Sequence, residues 1–277
     1  MKTLYLTDLD GTLLGADERV SARSAAIINR LLEQGVLLSF ATARSLVSSA
    51  RVTEGVRWRL PAVTSNGVTV QHPVTGQDYA RTAFTPAEAA ALRQSVQRHG
   101  LRPVVFSYLD GRERCSWLAG QETDGVREYL AQPVRKTDPR VRPVQDLDAL
   151  FAGQISCVVC MGRREDFLQA HAEWSTGERY QCFFTRQLYS DTWWLEALPR
   201  QATKAAAALR LKELLGCSRI VFFGDGVNDL SLFRIADEAY ATANAVPELK
   251  AAATAVIGSN EEDGVALWLA EHAQPAG

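Results

Sequence analysis

The hydrophobic pattern at the start of the chain predicts strands that alternate with helices. A short apolar run, "TLYLT" (Thr3–Thr7), precedes apolar residues at helical spacing in "SARSAAIINRLLEQG" (Ser21–Gly35), and a second apolar run follows, "VLLSFATAR" (Val36–Arg44). Apolar residues at intervals of about 3.6 are typical of a helix, whereas a short continuous apolar run is typical of a buried strand. The order strand, helix, strand predicts a βαβ unit and therefore a parallel sheet.

Between about Arg81 and Trp194 the pattern changes to a mixture of shorter elements. "TPAEAAALRQSVQRHG" (Thr85–Gly100) predicts a helix that Thr85 caps, with a proline at its first position. "RPVVFSYLDGRERCSWLAG" predicts a hairpin that turns at the Asp-Gly pair of residues 110 and 111. This stretch is expected to form a separate α/β domain.

After Glu196 the alternation of strand and helix returns. "TKAAAALRLKELLG" (Thr203–Gly216) predicts a helix, and "RIVFFGDG" predicts a buried strand that ends beside an acid. We therefore predict an α/β fold in which residues 1–80 and 195–277 form one Rossmann-like parallel-sheet core, interrupted by an inserted α/β domain at residues 81–194.

Composition narrows the function classes. The chain has 277 residues, 47% of them hydrophobic, and a formal charge of -2, so it has no broad basic field for nucleic acid. No segment reaches about 18 uninterrupted apolar residues, and the N-terminus reads as neither a signal peptide nor a membrane span. Five cysteines are an odd number that suits a reducing compartment. We expect a cytoplasmic protein that acts on a small molecule, without a membrane or nucleic-acid partner, as a monomer or homodimer.

Polar side chains follow the predicted core strands at the points where the strands end. In an open parallel sheet, ligands bind beyond the carboxyl ends of the strands. The residues in question are Asp8 and Asp10 after the first strand, Thr42 after the second, Ser65 and Asn66 after "PAVT", and Asp225, Asn228 and Asp229 after "RIVFF". Lys204 stands at the start of a predicted helix, where free backbone N–H groups favour an anion.

This combination suits phosphoryl transfer. Clustered carboxylates need a hard cation among them, and magnesium prefers one or two carboxylates, water and a phosphate oxygen. Asp8 and Asp225 are the natural ligand pair, a carboxylate can attack phosphorus, and Asp10 can move the proton. Thr42 and Lys204 would bind the phosphoryl oxygens. A D-x-D pair alone is more often a solvated turn, but D-x-D-G-T specifies four residues and is far rarer by chance.

These motifs resemble those of the haloacid dehalogenase superfamily of phosphatases. "DLDGTLL" is similar to its first motif, "ATAR" to the second, Lys204 to the third and "GDGVNDLSLF" to the fourth, G-D-x-x-N-D. The second motif commonly reads A-T-G-R, and Ala43 stands here in place of the glycine. The long insertion before the lysine, together with "TSNG" and "SNEEDGVA", looks like the Cof-like subclass (IIB), whose inserted α/β domain is a cap. The resemblance covers roughly residues 1–80 and 195–277, while the cap matches in placement and texture.

The resemblance implies a role for each matching residue. Asp8 is then the nucleophile, and Asp10 is the general acid and base and also ligates Mg²⁺ through its backbone carbonyl. The implied phosphate-binding residues are Thr42, Ala43, Lys204 and Asn228, and the further candidates for substrate contact are Arg44, Asn66 and Asn244. The implied metal ligands are Asp8, Asp10 and Asp225, with Asp229 either binding the metal through water or supporting its ligands. The implied substrate is a small phosphorylated metabolite, such as a sugar phosphate or a phosphorylated cofactor, selected by the cap.

Other functions stay open on the sequence alone. A phosphotransferase or phosphomutase would use the same aspartyl-phosphate with an acceptor other than water. A non-catalytic protein that binds a phosphate ligand is a third alternative, which the presence of all the acids disfavours. Cys157 and Cys160 form C-x-x-C inside "ISCVVCMG", which we interpret as a core strand and not as a redox or zinc site. We expect Trp193 and Trp194 to pack at the domain hinge.

Overall fold

The computed structural model describes residues 2–187 and 191–276. The chain forms two compact units, of which one combines Met1–Arg81 with Thr203–Gly277 and the other is Thr82–Ala202. Within the two described ranges, no helix combines the length and the apolar character needed to cross a membrane.

The elements follow one another in three stretches. The first stretch contains β1 (Thr3–Thr7), α1 (Ala22–Glu33), β2 (Leu38–Phe40), α2 (Leu46–Val52), β3 (Ala62–Thr64), β4 (Thr69–Gln71) and β5 (Asp78–Arg81). The second unit contains α3 (Pro86–Arg98), β6 (Val104–Leu109), β7 (Arg112–Leu118), α4 (Asp124–Ala131), α5 (Pro133–Lys136), β8 (Val141–Val144), α6 (Leu147–Leu150), β9 (Gln154–Gly162), α7 (Leu168–Thr176), β10 (Tyr180–Arg186) and β11 (Trp193–Pro199). The last stretch contains α8 (Lys204–Leu214), β12 (Arg219–Gly224), α9 (Leu230–Phe233), β13 (Glu238–Thr242), α10 (Pro247–Ala252), β14 (Ala255–Ile257) and α11 (Gly264–His272).

The first unit is built on a five-stranded parallel sheet. Its strand order is β14, β13, β12, β1, β2, so strands from both ends of the chain lie side by side. Leu4 and Leu6 of β1 enter one hydrophobic cluster, whereas Tyr5 enters another. Because alternate residues of a strand point to opposite faces, β1 is buried on both faces, which explains its continuous apolar run.

The register of the sheet places three strand ends at one edge. Thr7 at the end of β1 is level with Phe223 of β12 on one side and with Phe40 of β2 on the other. An isolated parallel bridge between Ala41 and Val63 continues this edge to β3, which begins a separate antiparallel sheet of β3, β4 and β5. The residues that follow β1, β2 and β12 therefore emerge together.

Local capping fixes the helices that border this edge. Ser21 caps α1 by accepting a hydrogen bond from the backbone N–H of Ser24, and Thr203 caps α8 by accepting one from Ala206. An N-cap side chain satisfies one of the free N–H groups at a helix start. The predicted helix at Thr203–Gly216 is present, and it begins one residue after its cap.

The second unit carries a six-stranded mixed sheet with the order β10, β11, β9, β6, β7, β8. The predicted hairpin joins β6 and β7, and both turn residues, Asp110 and Gly111, have positive φ values of 52° and 73°. The C-terminal core segment begins at Thr203, later than the predicted residue 195, because β11 pairs with β9 and β10 and so belongs to this sheet.

Two sequence features of the inserted domain find structural roles there. Cys157 and Cys160 lie in β9, and both are free thiols. Trp193 packs against Phe184, and Trp194 packs edge-on against Tyr129, so both tryptophans of β11 have aromatic partners within the second unit. The C-x-x-C pair is thus part of a core strand, as its apolar setting predicted.

Candidate active site

A buried group of one ammonium and two carboxylates lies at the carboxyl edge of the parallel sheet. Asp8 directly follows β1, Lys204 is the first residue of α8, and Asp229 lies in the turn after β12. The Lys204 Nζ is 2.7 Å from the Asp8 Oδ2 and 2.7 Å from the Asp229 Oδ1. The three side chains are only 6%, 1% and 0% exposed for Asp8, Lys204 and Asp229. Such burial makes each of these charges dependent on its partners.

The charges in this group do not balance. Burial raises the pKa of Asp8 well above its usual range, the charge of Asp229 raises it further, and Lys204 offsets only part of the effect. Burial lowers the pKa of Lys204, but Asp229 and Asp8 outweigh this and leave the pKa raised. Lys204 therefore stays positively charged, but its single charge does not neutralise the two carboxylates.

A third carboxylate, that of Asp225, lies close to those of Asp8 and Asp229. Burial raises the pKa of Asp225 to about 6, although Thr12 donates a hydrogen bond of 2.9 Å from its Oγ1 to the Asp225 Oδ1. Gly11 has a φ of +68°, and a Cβ at this position would lie 2.2 Å from the Asp225 Oδ2. Glycine is thus required at residue 11 both by its backbone conformation and by the space that Asp225 occupies.

The three carboxylates fit a metal ion. One oxygen from each of Asp8, Asp225 and Asp229 lies within 4.8 Å of the others. Together with Lys204 they carry three negative charges and one positive charge, a net of -2. Hard divalent cations take oxygen ligands. A cation here would oppose the burial and the neighbouring negative charges that raise the pKa of Asp8 and Asp225. These residues are therefore a candidate metal site.

Thr42 lies at the same sheet edge, two residues after the end of β2. It is fully buried, and its Oγ1 accepts a hydrogen bond of 3.1 Å from the backbone N–H of Arg44, so its own hydroxyl proton is available to an acceptor. Asn66 lies in the turn after β3, with its backbone N–H 3.0 Å from the Thr42 carbonyl oxygen. Its Oδ1 is buried without a partner among the described residues. Ala43 is exposed.

Asp10 is held in a different way from the other acids. The Nε of Arg44 donates to the Asp10 Oδ2 at 2.8 Å, and the Nη2 of Arg44 donates to the Asp10 Oδ1 at 2.5 Å. The same Nη2 also donates to Glu18 at 2.5 Å. The side chain of Asp10 is 44% exposed and is not part of the three-carboxylate group.

The remaining candidates line the same sheet edge. Asn228 is half-buried in the turn between Asp225 and Asp229. Asn244, an exposed residue after β13, donates from its Nδ2 to the Gly11 carbonyl oxygen at 2.7 Å. Asn244 thus supports the loop that carries Asp8 and Asp10.

Sequence reasoning missed two of the side chains that support the site. Thr12 was included in the first motif, but its bond to Asp225 depends on strands from opposite ends of the chain. Glu18 lies in a loop with a positive φ of 56°, and no local pattern connects it to Arg44. The only sequence signal for Thr12 was its place in D-x-D-G-T.

The family of the chain follows from a family-model comparison. Residues 5–269 match the haloacid dehalogenase-like hydrolases, so the chain belongs to this family. The match spans both stretches of the first unit and all of the second. The prediction of the superfamily is confirmed, as is the predicted α/β fold with a parallel core sheet and an inserted mixed sheet.

Two relatives of similar length are named as phosphatases. The chain is 26% identical to the 5-amino-6-(5-phospho-D-ribitylamino)uracil phosphatase of Bacillus subtilis, over 95% of each chain. It is 28% identical to the HMP-PP phosphatase of Escherichia coli O157:H7, over 91% of this chain and 88% of that one. The predicted enzyme class, a phosphatase, is confirmed.

Solved structures support the fold. A protein of Thermotoga maritima superposes with a TM-score of 0.79 at 22% identity, covering 100% of this chain and 99% of that one. A haloacid dehalogenase-like hydrolase of Bacteroides thetaiotaomicron superposes with a TM-score of 0.78 at 21% identity, covering 98% and 99%.

Proposed function

We propose that this protein is a magnesium-dependent phosphatase that hydrolyses small phosphorylated metabolites through an aspartyl-phosphate on Asp8. The observation that carries the proposal is the buried group of Asp8, Lys204 and Asp229, with Asp225 beside it. A carboxylate that is buried against a lysine, at the edge where parallel-sheet proteins bind ligands, is placed to act on an anionic group. Catalysis of phosphoryl transfer consists almost entirely of such positioning and charge stabilisation.

In the first half of the reaction, Asp8 attacks the phosphorus atom of the substrate. A bond forms between a carboxylate oxygen of Asp8 and phosphorus, and the bond from phosphorus to the leaving oxygen breaks. Asp10, in its protonated form, gives its proton to that leaving oxygen and becomes a carboxylate. The product is an alcohol together with the phosphorylated aspartate.

In the second half, water replaces the alcohol. Asp10 now takes a proton from water as the water oxygen attacks phosphorus, and the bond between phosphorus and Asp8 breaks. Inorganic phosphate leaves, and both acids return to their starting states. Throughout, the hydroxyl of Thr42 and the ammonium of Lys204 are the donors that would stabilise charge on the phosphoryl oxygens.

The donor set favours magnesium. Among the described residues, the group offers three carboxylate oxygens and no imidazole or thiolate, which suits a hard cation. Magnesium commonly binds with few protein carboxylates plus substrate phosphate. When bound, the ion would neutralise charge on the phosphoryl group. Asp8, Asp225 and Asp229 are the residues that would hold it. Its positive charge would also keep Asp8 deprotonated and therefore nucleophilic.

The substrate class is inferred from the relatives. One is named for a phosphorylated ribitylaminouracil and another for HMP-PP, and both names describe small phosphorylated molecules. We propose a substrate of this size and kind, and the inserted domain as the part that selects among leaving groups.

The proposal is tested by phosphate release from p-nitrophenyl phosphate and a panel of phosphorylated metabolites with magnesium. Asp8→Asn should abolish turnover, because an amide cannot form the acyl phosphate. Asp17→Asn, an exposed acid in the same loop region, should keep normal turnover and is the matched control. Near-normal turnover by Asp8→Asn would refute the mechanism. Transfer of phosphate to an added sugar in preference to water would favour the phosphotransferase alternative.

A further inference from the structure

Glu196 is a half-buried acid in the interior of the second unit's sheet. It lies in β11, which has β9 on one side and β10 on the other. Its carboxylate has no hydrogen bond or ion pair with another residue of the ranges 2–187 and 191–276. Burial is the cause that raises the pKa of Glu196 to about 7, and no cation or donor offsets it. The proposed mechanism gives this carboxylate no part.

Two other acids of the same unit are paired. The Asp138 side chain is 0% exposed, and it accepts hydrogen bonds from Arg135 at 3.1 Å and from Arg140 at 2.9 Å. Glu113 is paired with Arg140 at 2.9 Å. A carboxylate in an apolar setting costs free energy that such pairing offsets. Glu196 lacks this compensation and opposes the stability of its own strand, which is typical of a functional position.

The side chains around Glu196 are apolar and aromatic. Directly opposite it lie Phe183 of β10 and Val159 of β9, and opposed residues of antiparallel strands point to the same face of a sheet. Trp194, two residues earlier on the same strand, shares that face and belongs with Val159 to one apolar cluster. Phe183 and Trp194 are half-buried, as Glu196 is, so this part of the face remains accessible to a ligand.

The titratable neighbour on this face is Cys157, which packs against the same apolar cluster. Burial, followed by the charge of Glu196, raises the pKa of this thiol well above its usual range, so the thiol stays neutral. Glu196 therefore adjoins aromatic rings and an uncharged thiol. A carboxylate in this setting attracts a cation, and the faces of aromatic rings favour cations as well.

We propose that the face of β11 around Glu196, bordered by Phe183 and Trp194, binds an organic ammonium group that carries an apolar or aromatic substituent. The ammonium contacts the Glu196 carboxylate, and the substituent packs on the rings. The inference goes beyond the proposed function, because the amine can belong to the leaving group of a substrate or to a free ligand. Both sources share this chemistry, and the experiment separates them.

The test is a titration of the full-length protein with benzylamine, followed by ligand-observed NMR. It is done at pH 8, above the pKa of Glu196, and with magnesium, so that the Asp8 group does not attract the amine. Benzylamine should bind, and benzyl alcohol, which has nearly the same shape without the charge, should bind about tenfold more weakly.

The variants compare the charge of Glu196 with its shape. Glu196→Gln keeps the shape and removes the charge, so the dissociation constant of benzylamine should rise about tenfold. Glu165→Gln, at an exposed acid of the same unit, is the matched control and should leave the constant unchanged. Phe183→Leu retains the carboxylate and removes a ring, so the constant should rise about threefold.

Three results would overturn the inference. They are no binding of benzylamine to the wild-type protein, equal binding of benzylamine and benzyl alcohol, and an unchanged dissociation constant in Glu196→Gln. Unaltered far-UV circular dichroism in each variant shows that a loss of binding is not a loss of folding.

Inhibition of p-nitrophenyl phosphate hydrolysis separates the two sources of the amine. Competitive inhibition by benzylamine that is lost in Glu196→Gln would assign the ammonium to the leaving group of a substrate. Binding without inhibition would assign it to a free amine. Wild-type protein that binds benzylamine through Glu196 but hydrolyses no phosphate ester would overturn the proposed function and leave this inference intact.

Discussion

Replacing Lys204 by methionine should strongly destabilise the metal-free protein. Methionine retains most of the buried stem and removes the ammonium, so Asp8 and Asp229 lose two contacts of 2.7 Å. Breaking a buried ion pair from one side costs about 3–5 kcal/mol, because the remaining charge stays in an apolar surrounding. With a urea dependence of about 2 kcal/mol per molar, a loss of about 4 kcal/mol lowers the unfolding midpoint by about 2 M.

The assay is urea unfolding at pH 7 in the presence of a chelator, followed by far-UV circular dichroism. Lys212→Met, on the same helix and half-buried, is the matched control, because Lys212 makes none of the ion pairs found among the described residues. Its midpoint should change little. A Lys204→Met midpoint equal to that of the control would mean that the ammonium does not compensate the two carboxylates.

The loss of stability in Lys204→Met should also depend on pH. The pKa of Asp8 is already raised in the folded protein, and removal of Lys204 raises it further. A carboxyl group whose pKa is higher folded than unfolded binds its proton more tightly in the folded state, so acidification favours folding. The midpoint difference from wild type should shrink between pH 7 and pH 5. A difference that grows on acidification would contradict this reading of the charges.

Three further outcomes are expected. Gly11→Ala should reduce phosphatase activity and magnesium affinity, because its Cβ would lie 2.2 Å from the Asp225 Oδ2. The control Gly35→Ala also has a positive φ but meets no atom within 4 Å, so it should only lower the melting temperature slightly and leave the kinetics unchanged. Burial raises the pKa of Glu196 to about 7, so a contribution to stability that is present at low pH is lost as the pH rises through 7. In urea unfolding, Glu196→Gln should therefore be more stable than wild type by about 2 kcal/mol at pH 8 but not at pH 4.5. Inorganic phosphate should bind measurably by calorimetry only with magnesium present, because the site alone carries a net charge of -2.

The sheet edge could be predicted because it depends on local patterns and one topological rule. The apolar run of β1 needs no partner to be recognised, and parallel strands must end at the same edge whatever their order. Asp8 and Asp225 were therefore expected to be neighbours although 217 positions separate them in the sequence. The structure places β12 directly beside β1, which brings these two acids together.

The partner of each charged side chain could not be predicted in this way. Arg44 reaches Asp10, 34 residues earlier, and Glu18, 26 residues earlier, and those contacts depend on how two loops fold over the sheet edge. The later start of the C-terminal core segment has a similar cause. Trp193–Pro199 could have been a strand of either unit, and only its pairing with β9 and β10 decides between them.

Lys204 occupies a position that its own helix does not favour, and this conflict is informative. It is the first residue of α8, where the helix dipole is positive and a cation is unfavourable, and it is also almost completely buried. Both features oppose a lysine when the helix is considered alone. The ammonium is stabilised there by Asp8 and Asp229, which follow strands from the two ends of the chain. A residue that opposes the local preferences of its helix and is stabilised by distant charges indicates a functional site. Here Lys204, Asp8 and Asp229 together present a fixed cation beside a buried carboxylate.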